Sequence, residues 1–238
     1  MDMIGKPGSR ASYPRSVKLT RILFRRARDP LLTALLGIQS VLLFVLPAAR
    51  AAGVLIPHPA LYGILLALVS LTILLSRSTS AIVTMVLAIS LTVAGSSESL
   101  WPSVLTAETV ATIGQVLAQL SLIWAVSTAV FGAGPTTHHR ILGAVVMYLG
   151  IGMIFVSLDL LLAHAVPGAF SNLPSDGPEL RESLTYFSFS TLTTSSYGDI
   201  FPIHPIARSL ANIEAICGQL FPATLLARIV MLHHMKRR

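Results

Sequence analysis

The residues best suited to chemistry lie in one polar stretch towards the C-terminal end of the chain. Pro178 and Glu179 are typical of a helix start, because a missing N–H is harmless there and a carboxylate suits the positive helix end. This short helix leads into residues 195–199, where Gly198 permits backbone angles that other residues resist. Inside a membrane, irregular backbone is tolerated only where protein buries it or where it lines a water-filled path. The stretch therefore predicts a re-entrant segment and a transport site.

The composition of the chain places this stretch in a membrane. Of the 238 residues, 53% are hydrophobic and 11% are charged, and the mean hydropathy is +0.75. Because a soluble domain carries about 25% charged residues, this chain lacks the charged shell that a soluble protein of its size requires. The hydrophobicity excludes a disordered chain, and the single cysteine, Cys217, excludes a disulfide scaffold.

Six apolar segments predict an all-α membrane protein with six transmembrane helices, with the re-entrant segment between helices five and six. The segments cover residues 31–49, 60–76, 80–94, 110–131, 141–165 and 206–232. Lipid cannot hydrogen-bond a peptide group, so each span is expected to be helical. With the N-terminus inside, fourteen Lys and Arg residues lie on the cytoplasmic side and three lie outside, as the positive-inside rule requires.

This orientation predicts a multi-pass protein of the cell (inner) membrane with both termini in the cytoplasm. Cleavage of the first segment as a signal peptide is the alternative, and it leaves the other five spans unchanged. Eight of the basic residues precede the first segment and three close the chain, which predicts contact with anionic membrane lipids. No nucleic-acid partner is expected, although the net charge of +7 would suggest one in a soluble protein.

The stretch from Tyr186 to Ile200 resembles the pore helix and selectivity filter of the potassium-channel superfamily. Residues 194–199 read Thr-Ser-Ser-Tyr-Gly-Asp, where the family pattern is Thr-Val-Gly-Tyr-Gly-Asp. The segment that follows is similar to the inner helix of prokaryotic members with six-span, voltage-gated-like architecture. The resemblance divides the chain into a basic segment (1–30), a four-helix sensor-like domain (31–135) and a pore domain of outer helix, pore helix, filter and inner helix (136–238).

This resemblance implies a homotetrameric channel for monovalent cations, with K⁺ as the permeant ion, no cofactor and no enzymatic activity. One chain supplies one filter strand, and a closed ring of four would replace the water shell of the ion with backbone carbonyls. The residues implied are Thr194, Ser195, Ser196, Tyr197 and Gly198 in the filter, Ser190 and Thr193 in the pore helix, and Asp199 at the outer mouth.

Two filter residues depart from the family pattern. Ser196 stands where the family has glycine, and Ser195 stands where it has valine or isoleucine. A non-glycine residue in left-handed backbone costs roughly 1–2 kcal/mol, and a ring of subunits repeats that cost. Ser195 also places a hydroxyl where the family has apolar packing. The sequence leaves two alternatives open: a potassium-selective pore with fewer ion sites, or a pore that is weakly selective or non-conducting.

Residues outside the filter bear on gating and support. The fourth span has no Lys or Arg, so intrinsic voltage gating is not expected. Gly218 is a candidate gating hinge, with close helix packing as the alternative. Glu214 is expected to support the filter through a hydrogen bond to the back of the pore helix. Asp159 and His164 are expected at the outer interface, with a buttress for the filter as the alternative for Asp159.

Three other classes of membrane protein are alternatives to a channel. A secondary transporter would show interrupted helices in two matching halves, and this chain has one such feature. An intramembrane enzyme would need a Ser/His pair, paired Asp residues or metal ligands within the spans, and the sequence shows no such constellation. A membrane scaffold with a degenerate filter is the third alternative, and ion flux separates it from a channel.

Overall fold

The computed structural model describes residues 31–53, 64–72, 79–95, 104–131, 138–175, 177–195 and 197–235. Within these ranges, β structure is limited to one isolated antiparallel bridge, between Phe170 and Pro202. The predicted all-α class is confirmed. The helices are α1 (residues 31–51, with a π-helical turn at Val41–Val45), α2 (64–72), α3 (Thr79–Gly95), α4 (Val104–Val130), α5 (His138–Ala165), α6 (Gly177–Leu192) and α7 (Pro205–Met235).

Four of the described helices are long and apolar enough to cross a bilayer. The candidate spans are Leu31–Ala49, Ala107–Ser127, Arg140–Ala165 and Pro205–Arg228, which agree closely with four of the predicted segments. Helix α3 is a shorter apolar helix of 17 residues, about 25 Å long against a hydrocarbon core of about 30 Å. The predicted second span is described only over residues 64–72, so the count of six stays a prediction. The basic residues 1–30 and 236–238 lie outside the described part.

Helix α4 packs against α3 and α5, and its contact with α3 is a close backbone approach. A Cβ placed on Gly114 would lie 2.8 Å from the carbonyl oxygen of Ala88, and one on Gly95 would lie 2.5 Å from the backbone nitrogen of Ala111. In lipid, apolar side chains gain nothing by leaving water, so helices associate where small residues let backbones approach. A shared apolar core links α1 to α5, with Leu122 and Val146 fully buried in it.

Helix α6 is held in the angle between α5 and α7. Its 16 residues give a length of about 24 Å, so it enters the protein without crossing a whole bilayer. Its buried side includes Leu184, Phe187 and Leu192, each at most 1% exposed. Because α6 is packed on this side, it fixes the positions of the loop that precedes it and of the segment that follows it.

Candidate pore and filter

The backbone turns sharply at both ends of α6, and these two turns determine where the chain enters and leaves the site. Gly177 has a φ of 82°, which turns the chain into the helix, and Pro178 follows as its second residue. At the other end, the N–H of Ser195 donates to the carbonyl oxygen of Ser190 at 2.9 Å, and the N–H of Thr194 donates to that of Thr191 at 3.0 Å. These bonds close the last turn and redirect the chain.

The left-handed residue of this turn is Thr194, with a φ of 55°. Positive φ is unusual for a β-branched residue, so the surrounding contacts must hold it. The expectation that Gly198 supplies such angles is wrong: Gly198 does not have a positive φ. Ser196, whose substitution for glycine raised the question of strain, lies outside the described residues. Thr193, predicted within the pore helix, lies in the turn directly after it.

Gly198 is instead a position with little space for a side chain. A Cβ at this position would lie 2.3 Å from the hydroxyl oxygen of Tyr186 on α6. The backbone at Gly198 therefore runs directly against α6, and the atom that a Cβ would meet is the far end of a side chain.

Gly198→Ala is expected to reduce cation flux by displacing Tyr186 or the filter backbone, and Tyr186→Phe should partly restore flux by removing the atom in closest overlap. Flux measured for the two single variants and the double variant checks this. Equal flux in the wild type and Gly198→Ala would contradict the contact.

Hydroxyl groups around the inner end of the filter segment bond to one another and to α7. Thr194 Oγ1 donates to the Thr193 carbonyl oxygen at 2.7 Å and accepts from Gln219 Nε2 at 2.8 Å. Thr193 Oγ1 donates to the Phe189 carbonyl oxygen at 2.7 Å and lies 2.8 Å from Ser195 Oγ. Since a hydroxyl has one hydrogen, Ser195 is the donor in that pair. The hydroxyl of Ser195 thus has a partner at the end of α6.

Aromatic stacking fixes the outer half of the segment. The ring of Tyr197 stacks on Phe187 of α6, with centroids 5.7 Å apart and planes inclined by 16°. Phe187 in turn meets Phe170 edge to face at 5.2 Å. The Tyr197 side chain is therefore held on the α6 side of the segment.

The segment beyond the filter is tied to the loop that precedes α6. The carbonyl oxygen of Asp199 accepts from Asn172 Nδ2 at 2.9 Å, while the Asp199 residue itself is exposed. The N–H of Ser171 donates to the Phe201 carbonyl oxygen at 2.9 Å. Both ends of the filter segment are thus anchored, one to the end of α6 and the other to this loop.

Two glycines let α5 and α7 approach α6. A Cβ on Gly218 would lie 1.8 Å from the carbonyl oxygen of Leu192, which is backbone and cannot move aside. A Cβ on Gly152 would lie 2.6 Å from the ring of Phe189. The geometry at Gly218 is that of the close-packing alternative. Pro222 lies inside α7 and was not among the predicted features. It has no N–H to donate to the Gly218 carbonyl and so weakens the helix at this point.

Glu214 lies behind α6 and is fully buried. Its Oε1 is 2.5 Å from the hydroxyl of Ser188 on α6, and that hydroxyl is also 3.1 Å from the carbonyl oxygen of Gly152 on α5. One serine hydroxyl therefore links three helices. Within the described residues, Glu214 Oε2 has no hydrogen-bond partner.

Asp159 is not at an interface with water. It is fully buried on α5, and neither carboxylate oxygen has a hydrogen-bond partner among the described residues. The interfacial position expected for Asp159 is wrong, because Leu180 and Leu184 of α6 and Leu173 of the preceding loop pack around the adjacent Leu160. The alternative, a buttress for the filter, stays a prediction. His164, one turn further on, has a side chain that is 9% exposed and lies 3.8 Å from Glu108 of α4.

The four-helix part contacts the pore part at both ends of α4. Towards the N-terminal end of α4, Arg181 of α6 donates to Gln115 Oε1 at 3.0 Å and lies 3.7 Å from Glu108. At the C-terminal end, Arg228 of α7 donates to the Phe131 carbonyl oxygen, and its guanidinium lies 5.1 Å from the ring centroid of Phe131. Motion of α4 would therefore reach both the pore helix and the last helix.

Comparison with known proteins gives matches in this same part of the chain. Residues 179–233 match the family model described as an ion channel. Protein LctB of Bacillus caldotenax is 38% identical over 85 residues, and protein LctB of Geobacillus stearothermophilus is 32% identical over 84 residues. Each match covers 35% of this chain and 62% of the relative. No solved structure gives a significant match.

The family match covers α6 from Glu179, the filter segment and most of α7. The resemblance to the potassium-channel superfamily is therefore confirmed only over these residues, which match the model of an ion channel. The apolar helices around it are those of a membrane protein.

Proposed function

We propose that this chain is the subunit of a homotetrameric cation channel that conducts K⁺ through a ring of filter carbonyls. The observations that carry the proposal lie on either side of Ser196: a half-membrane helix ends in a left-handed turn at Thr194, and the aromatic side chain of Tyr197 stacks back on that helix. With the Tyr197 ring held on the α6 side, we expect the backbone oxygens of the strand to face the opposite side. Carbonyls in this arrangement can replace the water shell of a cation.

The exposed surface of α7 supports assembly around an axis. The candidate span on α7 is 17% buried within one chain, against 61% for the span on α5. Ile213, Ile216 and Leu220 are each more than half exposed on α7. A filter strand from one chain cannot enclose an ion, so a site of this kind is incomplete without further copies. Four copies would bring four α7 helices and four filter segments to the axis.

The dipole of α6 and the charge of Asp199 favour a cation in this pore. The C-terminal, negative end of α6 would point towards the central cavity. Asp199 is exposed beyond the filter and would raise the local concentration of cations at the outer mouth. Because α4 has no Lys or Arg within residues 109–131, we expect its contacts at Arg181 and Arg228 to respond to something other than voltage.

A pore that is weakly selective or non-conducting is the second candidate. Its support is Ser196, which stands where the family has glycine. A filter strand that avoids left-handed backbone at this residue would be wider or collapsed.

Flux of K⁺ and Na⁺ from liposomes containing the purified protein tests the proposal. Potassium flux well above protein-free liposomes, with a reversal potential that follows the K⁺ gradient, is the expected result. Ser196→Gly should raise selectivity or conductance by removing roughly 1–2 kcal/mol of strain per subunit. Equal passage of K⁺ and Na⁺ would favour the weakly selective pore, and absence of flux would overturn channel function.

A further inference from the structure

We propose that Gln219 is a positioning residue for Thr194, so that the last helix determines how the innermost filter residue meets a cation. The inference rests on the proposed channel function and deepens it. No motif in the sequence indicates this pair, since the two residues are 25 positions apart and lie on different elements.

The contact depends on the close approach of α7 to the end of α6. Gly218 admits the Leu192 carbonyl oxygen to a point that a Cβ would occupy. Gln219 follows directly, and its Nε2 donates to Thr194 Oγ1 at 2.8 Å. A side chain at Gly218 would force α7 away from α6 and move the amide of Gln219 out of reach. The glycine and the glutamine therefore act together.

Thr194 needs this support because its backbone is strained. Its φ of 55° is left-handed, a conformation that persists for a β-branched residue only where its surroundings impose it. Two of its contacts are local to the turn: the N–H donates to the Thr191 carbonyl, and the hydroxyl donates to the Thr193 carbonyl. Among the described contacts of its side chain, the bond from Gln219 comes from a different helix and couples Thr194 to α7.

The bond from Gln219 also sets the orientation of the Thr194 hydroxyl. A hydroxyl has one hydrogen and two lone pairs. The hydrogen is directed to the Thr193 carbonyl, and one lone pair accepts from Gln219. One lone pair is then left in a fixed direction for a cation. Without the amide, Thr194 keeps only its two bonds within the turn and loses its bond to α7, and cation selectivity at this position is expected to fall.

Gln219→Met tests the inference, because methionine has a similar length and cannot donate. We expect its K⁺/Na⁺ permeability ratio, from reversal potentials in liposomes, to fall by roughly threefold to tenfold, the range for one lost hydrogen bond. The affinity for K⁺, measured calorimetrically on the purified protein, should fall in the same direction. Neither quantity depends on the number of channels. If Gln219→Met does not assemble, Gln219→Asn, which keeps the amide but shortens its reach, should show the same decrease.

Two comparisons separate positioning from a general structural role. Thr224→Val removes an exposed hydroxyl from the same helix, and the described hydrogen bond of that hydroxyl is to the Phe221 carbonyl oxygen of α7 itself. This variant should leave the K⁺/Na⁺ permeability ratio and the affinity for K⁺ unchanged. In a Thr194→Val background, which has no hydroxyl to position, Gln219→Met should have no further effect. A wild-type ratio and affinity in Gln219→Met, or an equal decrease with and without the Thr194 hydroxyl, would overturn the inference.

Failure of the proposed function gives a different result. If the wild type passes neither cation, channel function is wrong, and the calorimetric affinities alone decide the inference. They support it if Gln219→Met binds K⁺ more weakly than both the wild type and Thr224→Val, and they overturn it if the three bind alike or bind no K⁺.

Discussion

Gly218→Ala is expected to prevent assembly of a conducting protein. The added Cβ would lie 1.8 Å from the Leu192 carbonyl oxygen and 2.7 Å from the Leu192 carbonyl carbon. Both atoms are backbone at the end of α6, so relief requires a shift of α6 or α7 as a whole. Overpacking a well-packed interior typically costs about 1–3 kcal/mol and occasionally more. An overlap with backbone is expected at or above the upper end of that range in every subunit.

Thermal unfolding, elution as an oligomer and liposome flux together measure this effect. Gly37→Ala on α1 is the matched control, because a Cβ there meets nothing within 4 Å and alanine favours a helix by about 1 kcal/mol over glycine. If Gly218 acts chiefly as a hinge, Gly218→Ala should assemble normally and differ only in open probability. That outcome would contradict the explanation that Gly218 is needed for close packing of α7 against α6, and would indicate that α7 bends near Pro222.

Ser188→Ala is expected to destabilise the protein more than the loss of one hydroxyl suggests. The Ser188 hydroxyl is the described hydrogen-bond partner of the buried carboxyl of Glu214, at 2.5 Å. A buried polar group left without a partner costs about 1–3 kcal/mol, and more when it is charged. The Gly152 carbonyl of α5 would lose its contact with Ser188 at the same time. We expect a clear decrease in the temperature of unfolding and in potassium flux.

Three further variants isolate the cause of that decrease. Ser121→Ala removes a buried hydroxyl that donates to the backbone carbonyl of Leu117, and it should cost about 1 kcal/mol or less because no carboxyl is left behind. Glu214→Gln keeps an acceptor for Ser188 and should also be mild. The double change Ser188→Ala with Glu214→Leu removes both partners and should recover much of the loss. A double variant at least as unstable as Ser188→Ala alone would show that the two groups act separately.

The outer ends of α4, α5 and α6 are joined by polar contacts in a region that the sequence suggests is merely interfacial. Asp159 is buried without a hydrogen-bond partner among the described residues, and His164 is nearly buried beside Glu108. Their positions in the sequence, near the end of an apolar segment, indicate a boundary with water. Leu180 and Leu184 of α6 pack against α5 at this level, and coverage by an element distant in sequence leaves no local signal.

The sequence was a good guide wherever the cause is local. Apolar segments of membrane length identify the long spans, because lipid requires each one to satisfy its own backbone. Pro178 and Glu179 indicate the start of α6, since a helix end has its own chemistry. The run from Tyr186 to Ile200 identifies an ion-channel segment, and the family match agrees.

Which residues support the filter segment is evident only from the tertiary structure. Gly218 is compatible with a hinge or with packing in the sequence, and the position of Leu192 in space distinguishes them. The absence of a side chain at Gly198 leaves space for the Tyr186 hydroxyl, while Thr194 is the residue with left-handed backbone. Gln219 carries no motif, yet it reaches Thr194. Each case depends on the distance between elements that are far apart in the chain, and hydropathy, composition and local propensity do not contain that distance.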